Sequence, residues 1–205
     1  MAALKKITQR SLQALETKNK LDSIALTLFT KHGFDKVTVD EITHYAGVSK
    51  GTFYNYFSAK DEVLLEQFNK IDNHYEQVLR RLKNGESAGG RMLAFVDAMC
   101  EYCNDIWGLS LMKVVYANQI SLGKRSEMLL KKDRLFYKIL ADIIEQGRRD
   151  GEFTTELSAE EQVYLFARNA RSILYEWCLH DGSLDLKETG RKVFQLTLRI
   201  ISARD

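Results

Sequence analysis

The stretch VSKGTFYNYF, residues 48–57, concentrates hydrogen-bonding side chains on one short segment. Phe53 and Phe57 are four residues apart, so on a helix they share one face. Thr52 directly precedes them, Tyr54 and Asn55 lie between them, and all three carry hydroxyl or amide groups. Such groups can reach phosphate oxygens and base edges in the major groove of DNA. These side chains are therefore suited to binding a polyanion, and none of them points to a catalysed reaction.

The helical geometry of this stretch separates an anchoring face from a presented face. When Phe53 points inward, Gly51 and Asn55 fall on the opposite side, with Thr52 and Tyr54 at its edges. Lys50 stands at the leading end, where a cation can hold phosphate. Spacing alone fits a solvated polar surface equally well.

A Cys-x-x-Cys pair, Cys100 and Cys103, could in principle bind metal or cycle between thiol and disulfide. A zinc site needs a second pair of ligands, and the four histidines are scattered singly. Both cysteines fall in a predicted helix interior, away from the helix N-terminus that lowers a thiol pKa. We therefore predict no metal, no redox role and no cofactor.

The motifs of the common enzyme classes are missing from the sequence. It contains no nucleophile elbow, phosphate-binding loop or His-Glu zinc motif. Its scattered carboxylates are typical of solvated helix faces. The sequence therefore predicts a protein that is not an enzyme.

The composition indicates which elements position these residues. Proline is absent, and residues that favour helices abound, which predicts an all-α protein with short connections. The apolar runs are too short to span a membrane, and the N-terminus lacks the apolar stretch of a secretory signal. Three cysteines are too few for a disulfide framework, so we expect a cytoplasmic protein.

The first 60 or so residues predict a helix-turn-helix unit. A first helix ends at about His32, and Thr38 with Glu41 forms a capping box for a short helix that ends near Ala46. After the turn, a third helix capped by Ser49 runs through Phe57, and Ser58 caps a long fourth helix. Two short helices joined by a glycine-containing turn are typical of DNA-binding proteins.

The rest of the chain predicts a larger helical bundle. The segment KNGESAGG after Leu82 is a loop, and five helices follow at about 90–107, 109–121, 125–150, 158–180 and 184–203. This gives about nine helices, with a DNA-binding domain at 1–65 and a second domain at 66–205. Residues 1–60 hold 9 basic and 5 acidic residues, against 21 and 23 in the remainder, so the predicted DNA-binding end is the more basic one.

The run ALTLFTKHGFDKVTVDEITHYAGVSKGTFYNYFSAKDEVLL closely resembles the N-terminal domain of the TetR/AcrR transcriptional regulators. The shared features are LF-x-x-x-GF, T-V-x-E-I, A-G-V-S-K-G-T-F-Y-x-Y-F and K-x-x-x-L-L. The resemblance covers about 40 residues and implies binding of double-stranded DNA. The residues it implicates are Thr38, Ser49, Lys50, Gly51, Thr52, Tyr54, Asn55, Tyr56 and Lys60.

The resemblance also implies a homodimer on a palindromic site, because one short recognition helix reads only a few base pairs. Family members usually dimerise through their last two helices. The predicted interface residues are Phe166, Ala170, Ile173, Leu174, Trp177, Leu198 and Ile201.

A small-molecule effector that releases the DNA is the third implication, and repression is the family's commoner mode. Candidate effector-binding residues are Phe95, Met99, Tyr102, Cys103, Trp107, Met112, Tyr116 and Asn118. Their apolar and aromatic character predicts a hydrophobic effector, including planar or cationic molecules. The same stripe also fits an ordinary core. The alternative is a DNA-bound adaptor that lacks an effector and contacts a protein partner.

Overall fold

The structure, a computed structural model, describes residues 9–82, 85–122 and 129–203. Within these ranges the chain is all-α, with an isolated β-bridge between Phe153 and Ser202 as its one extended pairing. The chain divides into two compact units, Met1–Glu66 and Gln67–Asp205. None of the helices in the described ranges is both long and apolar enough to cross a membrane.

The first unit contains the helix-turn-helix. Its helices are α1 (Gln9–His32), α2 (Val39–Ala46), α3 (Lys50–Tyr54) and the start of α4 (Glu62–Arg80). One apolar core holds them together. Its fully buried members include Leu21, Ala25, Phe29, Ile42, Phe53 and Leu64.

Two helix ends in this unit differ from the prediction. Helix α3 ends at Tyr54, because Asn55 and Tyr56 form a turn that brings Phe57 back into the core. Helix α4 begins at Glu62, later than predicted. Just ahead of it, the backbone N–H of Ser58 donates to the Glu62 carboxylate.

The second unit contains the remainder of α4 and five further α-helices. They are α5 (Ala88–Glu101), α6 (Gly108–Leu122), α7 (Leu135–Arg149), α8 (Ala159–Leu179) and α9 (Leu186–Ile201). A π-helix, Tyr102–Trp107, joins α5 to α6, where the sequence predicted one helix over 90–107. Helix α9 packs closely on α5, since a Cβ added at Gly190 would lie 2.6 Å from Cys100 Sγ.

The predicted helix over 125–150 starts late. Residues 129–134 form turns, and α7 begins only at Leu135; positions 125–128 lie outside the described residues. Arg134 has extended backbone angles, and its guanidinium is held by Asp72, which keeps this residue out of the helix. In the predicted loop KNGESAGG, Lys83 and Asn84 also lie outside the described residues, while Ala88–Gly90 belong to α5.

Candidate nucleic-acid interface

The N-terminus of α2 is fixed by a complete capping box. The Thr38 hydroxyl accepts from the Glu41 amide at 3.2 Å, and the Glu41 carboxylate accepts from the Thr38 amide at 2.7 Å. The hydrogen bond from the Thr38 amide is also the main reason why the pKa of Glu41 is lowered. Thr38 is exposed, but its hydroxyl already takes part in this cap. Its first role is to start the helix.

The turn between α2 and α3 depends on Gly47. This residue has φ 65° and ψ 36°, and its N–H reaches the carbonyls of the last turn of α2. Left-handed angles of this kind strain most other residues. Ser49 then caps α3, because its hydroxyl accepts from the Thr52 amide at 3.1 Å. The turn and the cap together set the direction of α3.

Helix α3 separates buried anchors from presented groups, as the spacing predicts. Phe53 and Phe57 are buried, and their ring centroids lie 5.4 Å apart. Tyr54 is 50% exposed. Gly51 and Asn55 are also exposed, while Thr52 and Tyr56 are half-buried. The outer surface of α3 and the turn after it therefore presents the Tyr54 phenol and the Asn55 amide. At Gly51, which has no side chain, a ligand can approach the backbone closely.

Lys50 forms an ion pair within the first unit. Its ammonium forms an ion pair with Asp40 of α2 at 3.0 Å, and both side chains are exposed. The hydrogen bond that Lys50 donates to Asp40 raises the pKa of Lys50. An exposed ion pair of this kind is weak, so a phosphate can replace Asp40 as the partner of Lys50.

Lys60 has a structural role that the sequence did not predict. Its ammonium donates to the carbonyls of Phe34 and Val37 at 2.6 and 2.8 Å and lies over the Phe34 ring. Partial burial lowers the pKa of Lys60. The Lys60 side chain therefore ties its own segment to the α1–α2 loop just before Thr38. One N–H remains for a phosphate.

Tyr45 is a presented residue that the sequence analysis missed. Its side chain is 65% exposed on α2, and its ring contacts that of His44. The helical period could have identified it, because Ile42 and Ala46 point into the core and leave Tyr45 facing outward.

A small cavity in the second unit collects five of the eight predicted effector residues. Its volume is about 40 Å³, close to that of one water molecule in the liquid. The predicted residues that line it are Met99, Cys103, Trp107, Met112 and Tyr116. The structure does not bring Phe95, Tyr102 and Asn118 to its wall. Phe95 packs instead between the rings of Tyr75 and Phe136.

The cavity wall also holds two arginines that the sequence analysis did not predict. Arg134 makes two hydrogen bonds to buried Asp72, at 2.6 and 3.1 Å, and lies over the Phe68 ring. Arg171 donates to the Tyr137 hydroxyl at 2.9 Å. Neither arginine could have been placed from helical spacing, since their partners lie 62 and 34 residues away.

A larger groove of about 540 Å³ lies open on the surface of the same unit. Its wall mixes acids and bases that already pair with each other. Arg91 reaches Asp142 at 2.7 Å, and Arg80 reaches Glu76 at 3.0 Å. The smaller cavity, whose lining is mainly apolar and aromatic, is the better candidate for a hydrophobic ligand.

The cysteines are buried free thiols. Burial raises the pKa of Cys100 to about 12 and also raises that of Cys103. A thiol with such a pKa is a poor nucleophile at neutral pH. Across the described ranges, no group of three or more His, Cys, Asp or Glu side chains could hold a metal ion.

The predicted dimer residues lie mostly on the buried faces of α8 and α9 within one chain. Six of the seven are buried in the core of their own protomer, and Leu198 is half-buried. They pack between the helices of one chain; Phe166, for example, stacks on Phe194 at 5.2 Å. The apolar residues that α8 and α9 leave exposed are Tyr175, Leu179, Leu196 and Ile200.

Comparison with known proteins agrees with a helix-turn-helix in the first unit. A family model described as "Bacterial regulatory proteins, tetR family" matches residues 23–66. The HTH-type transcriptional repressor KstR2 of Mycolicibacterium smegmatis is 24% identical over 194 residues, which are 91% of each chain.

Among the similar solved structures, two that cover most of this chain share its fold. The fatty acid degradation regulator FadR from Bacillus halodurans has a TM-score of 0.72 and 21% identity, over 92% of this chain and 97% of its own. FadR of Thermus thermophilus, solved in complex with lauroyl-CoA, has a TM-score of 0.71 and 23% identity, over 92% and 96% of the two chains.

Proposed function

We propose that this chain, a DNA-binding transcriptional repressor of the TetR family and not an enzyme, acts as a homodimer on a palindromic operator. A small hydrophobic molecule in the cavity of the second unit releases the DNA. The observation that carries the proposal is the outer face of α3, where Tyr54 and Asn55 are exposed while Phe53 and Phe57 fix the helix. A regulator of this kind works where the DNA is, in the cytoplasm.

The DNA-binding surface in this proposal comprises two kinds of contact. The major groove is faced by Gly51, Thr52 and Tyr54 of α3 and by Asn55 directly after it. The groups placed toward phosphates are Thr38, Ser49, Lys50, Tyr56 and the remaining N–H of Lys60. Base edges specify the sequence, whereas phosphate contacts position the protein and make binding depend on salt.

The exposed apolar side chains of α8 and α9 support the homodimer. Leu179 and Ile200 are 65% and 68% exposed. Tyr175 and Leu196 precede them by one helical turn, so each helix carries an apolar pair at i and i+4 spacing. A two-fold interface would cover these side chains on both protomers and place two copies of α3 on the two halves of a palindrome.

The small cavity supports the effector. Aromatic rings and two methionines line it, and methionine side chains adjust readily to the shape of a ligand. The complex of Thermus thermophilus FadR with lauroyl-CoA shows that a protein with this fold can bind a molecule with a long apolar chain. In this chain the cavity must enlarge to accept such a molecule.

Selection of bound DNA from a random pool tests the DNA-binding half of the proposal. We expect a palindrome whose half-sites are about one helical turn apart or a multiple of it. No enrichment over non-specific binding would contradict the proposal. The selected DNA then serves to screen compounds for release; if none weakens binding, the chain is a DNA-bound adaptor without an effector.

A further inference from the structure

The charged residues that line the cavity are all positive. Arg134 and Arg171 are the charged residues in its wall, and no aspartate or glutamate lines it within the described part of the chain. A cation placed there would lose its hydration and meet further positive charge. The cationic effectors that the aromatic lining suggested are therefore disfavoured.

The two arginines differ in how their charge is balanced. The guanidinium of Arg134 is matched by Asp72 in a buried pair, so its charge is compensated. Arg171 has the neutral Tyr137 hydroxyl as its side-chain partner, and among the described residues no carboxylate lies within ion-pair distance of it. The Tyr137 hydroxyl in turn donates to the Leu129 carbonyl. Within the described ranges, Arg171 thus adds to the cavity lining a positive charge that no carboxylate balances.

Trp107 adds a neutral donor. The residue is 92% buried and lines the cavity, and its indole Nε1–H has no acceptor in the ranges that the structure describes. A buried donor without a partner costs free energy, which a ligand oxygen would recover. The Tyr116 hydroxyl cannot serve in the same way, because it donates to the Arg171 carbonyl at 2.7 Å.

We propose that the effector is an amphiphile with a single apolar chain and an anionic oxygen group, such as a carboxylate, which binds Arg171 and Trp107. This inference rests on the proposed function, because it names the ligand class of that same cavity. The apolar chain occupies the space between Met99 and Met112, whose side chains shift to enlarge it. Arg171 selects the head group by charge, and Trp107 adds a hydrogen bond.

Three compounds with the same ten-carbon chain test the head group: decanoate, 1-decanol and decyltrimethylammonium, each below its micelle concentration. The measurements are the thermal shift of the protein and the release of its selected DNA, followed by fluorescence anisotropy. We expect decanoate to act at a concentration about tenfold or more below that of decanol, since a hydrogen bond to a charged group supports such a difference. We expect the quaternary ammonium compound to act least.

Variants connect the preference to the named residues. Arg171→Gln should remove the advantage of decanoate over decanol while decanol still binds. Trp107→Phe should weaken the binding of decanoate, because it removes the indole N–H that the head group would accept from. Arg168→Gln is the matched control: Arg168 is exposed on the same helix, over the Tyr164 ring, and is not part of the cavity wall.

The outcomes separate the inference from the proposed function. If the ammonium compound or decanol matches decanoate in the wild type, the inference is wrong while the effector site stands. If Arg171→Gln and Arg168→Gln behave alike, Arg171 does not bind the head group and the inference is also wrong. If none of the three compounds changes either readout, both the inference and the assignment of the cavity as the effector site fail.

Discussion

Replacing Lys60 with methionine tests whether this residue supports the fold of the DNA-binding unit. Methionine keeps most of the apolar length over the Phe34 ring but leaves the carbonyls of Phe34 and Val37 without their charged donor. A charge-assisted hydrogen bond contributes about 1.5–3 kcal/mol when it is buried. Lys60 is only partly buried and water can replace it, so we expect a loss of about 1–3 kcal/mol for the two bonds together.

For a chain of this length, that loss corresponds to a melting temperature lower by roughly 2–10 °C, which scanning calorimetry or circular dichroism can follow. Lys36→Met is the matched control. Lys36 is exposed in the α1–α2 loop, to which Lys60 bonds, and it makes no hydrogen bond or ion pair with the described residues. Affinity for the selected DNA, measured over a salt series, separates the two roles of Lys60. An unchanged melting temperature with a salt slope lower by about 0.9 would show a phosphate contact alone and refute the structural role.

Three further predictions concern other contacts. Gly190→Ala should destabilise the protein by about 1–3 kcal/mol, because its Cβ would lie 2.6 Å from Cys100 Sγ, and Cys100→Ala should restore part of that loss in a double-mutant cycle of chemical unfolding. Asp40→Asn should raise DNA affinity and steepen its salt dependence by about one phosphate, since it frees Lys50; equal slopes in anisotropy titrations would contradict this. The lowered pKa of Glu41 stabilises the fold above the ordinary value of 4.5, and this contribution is lost as the pH falls through the lowered pKa. Glu41→Gln should therefore flatten the acid side of the stability profile, and an unchanged profile would exclude this carboxylate as a source of acid sensitivity.

Local features of the sequence were enough to predict the helix-turn-helix. The capping box at Thr38 and Glu41 and the buried pair Phe53 and Phe57 depend on spacings of three and four residues, which helical geometry fixes. The division of α3 into an anchor and a presented face follows from the same geometry. These predictions needed no knowledge of distant partners.

The features that could not be predicted depend on partners far along the chain. Lys60 binds carbonyls 26 and 23 residues away, so its spacing gives no sign of a structural role. The late start of α7 reflects the pair between Arg134 and Asp72, 62 residues apart.

The apolar faces of α8 and α9 show another reason why the sequence alone was not enough. Period analysis finds apolar positions, but it does not say whether the core of the same chain or a partner covers them. Phe166 and Ile201 turned out to be core, while Leu179 and Ile200 are exposed. Only the packing of the helices distinguishes the two sets.

The measurement that tests the central claim most directly is the ratio of the affinity for the selected palindrome to that for a scrambled duplex of equal length, at fixed salt. A specific reader should show a ratio of about 10³ or more. Asn55→Ala, which alters an exposed group directly after α3, should lower this ratio without changing the melting temperature. A wild-type ratio near one, or a ratio that Asn55→Ala and Tyr54→Ala both leave unchanged, would contradict the assignment of α3 as the element that reads the operator.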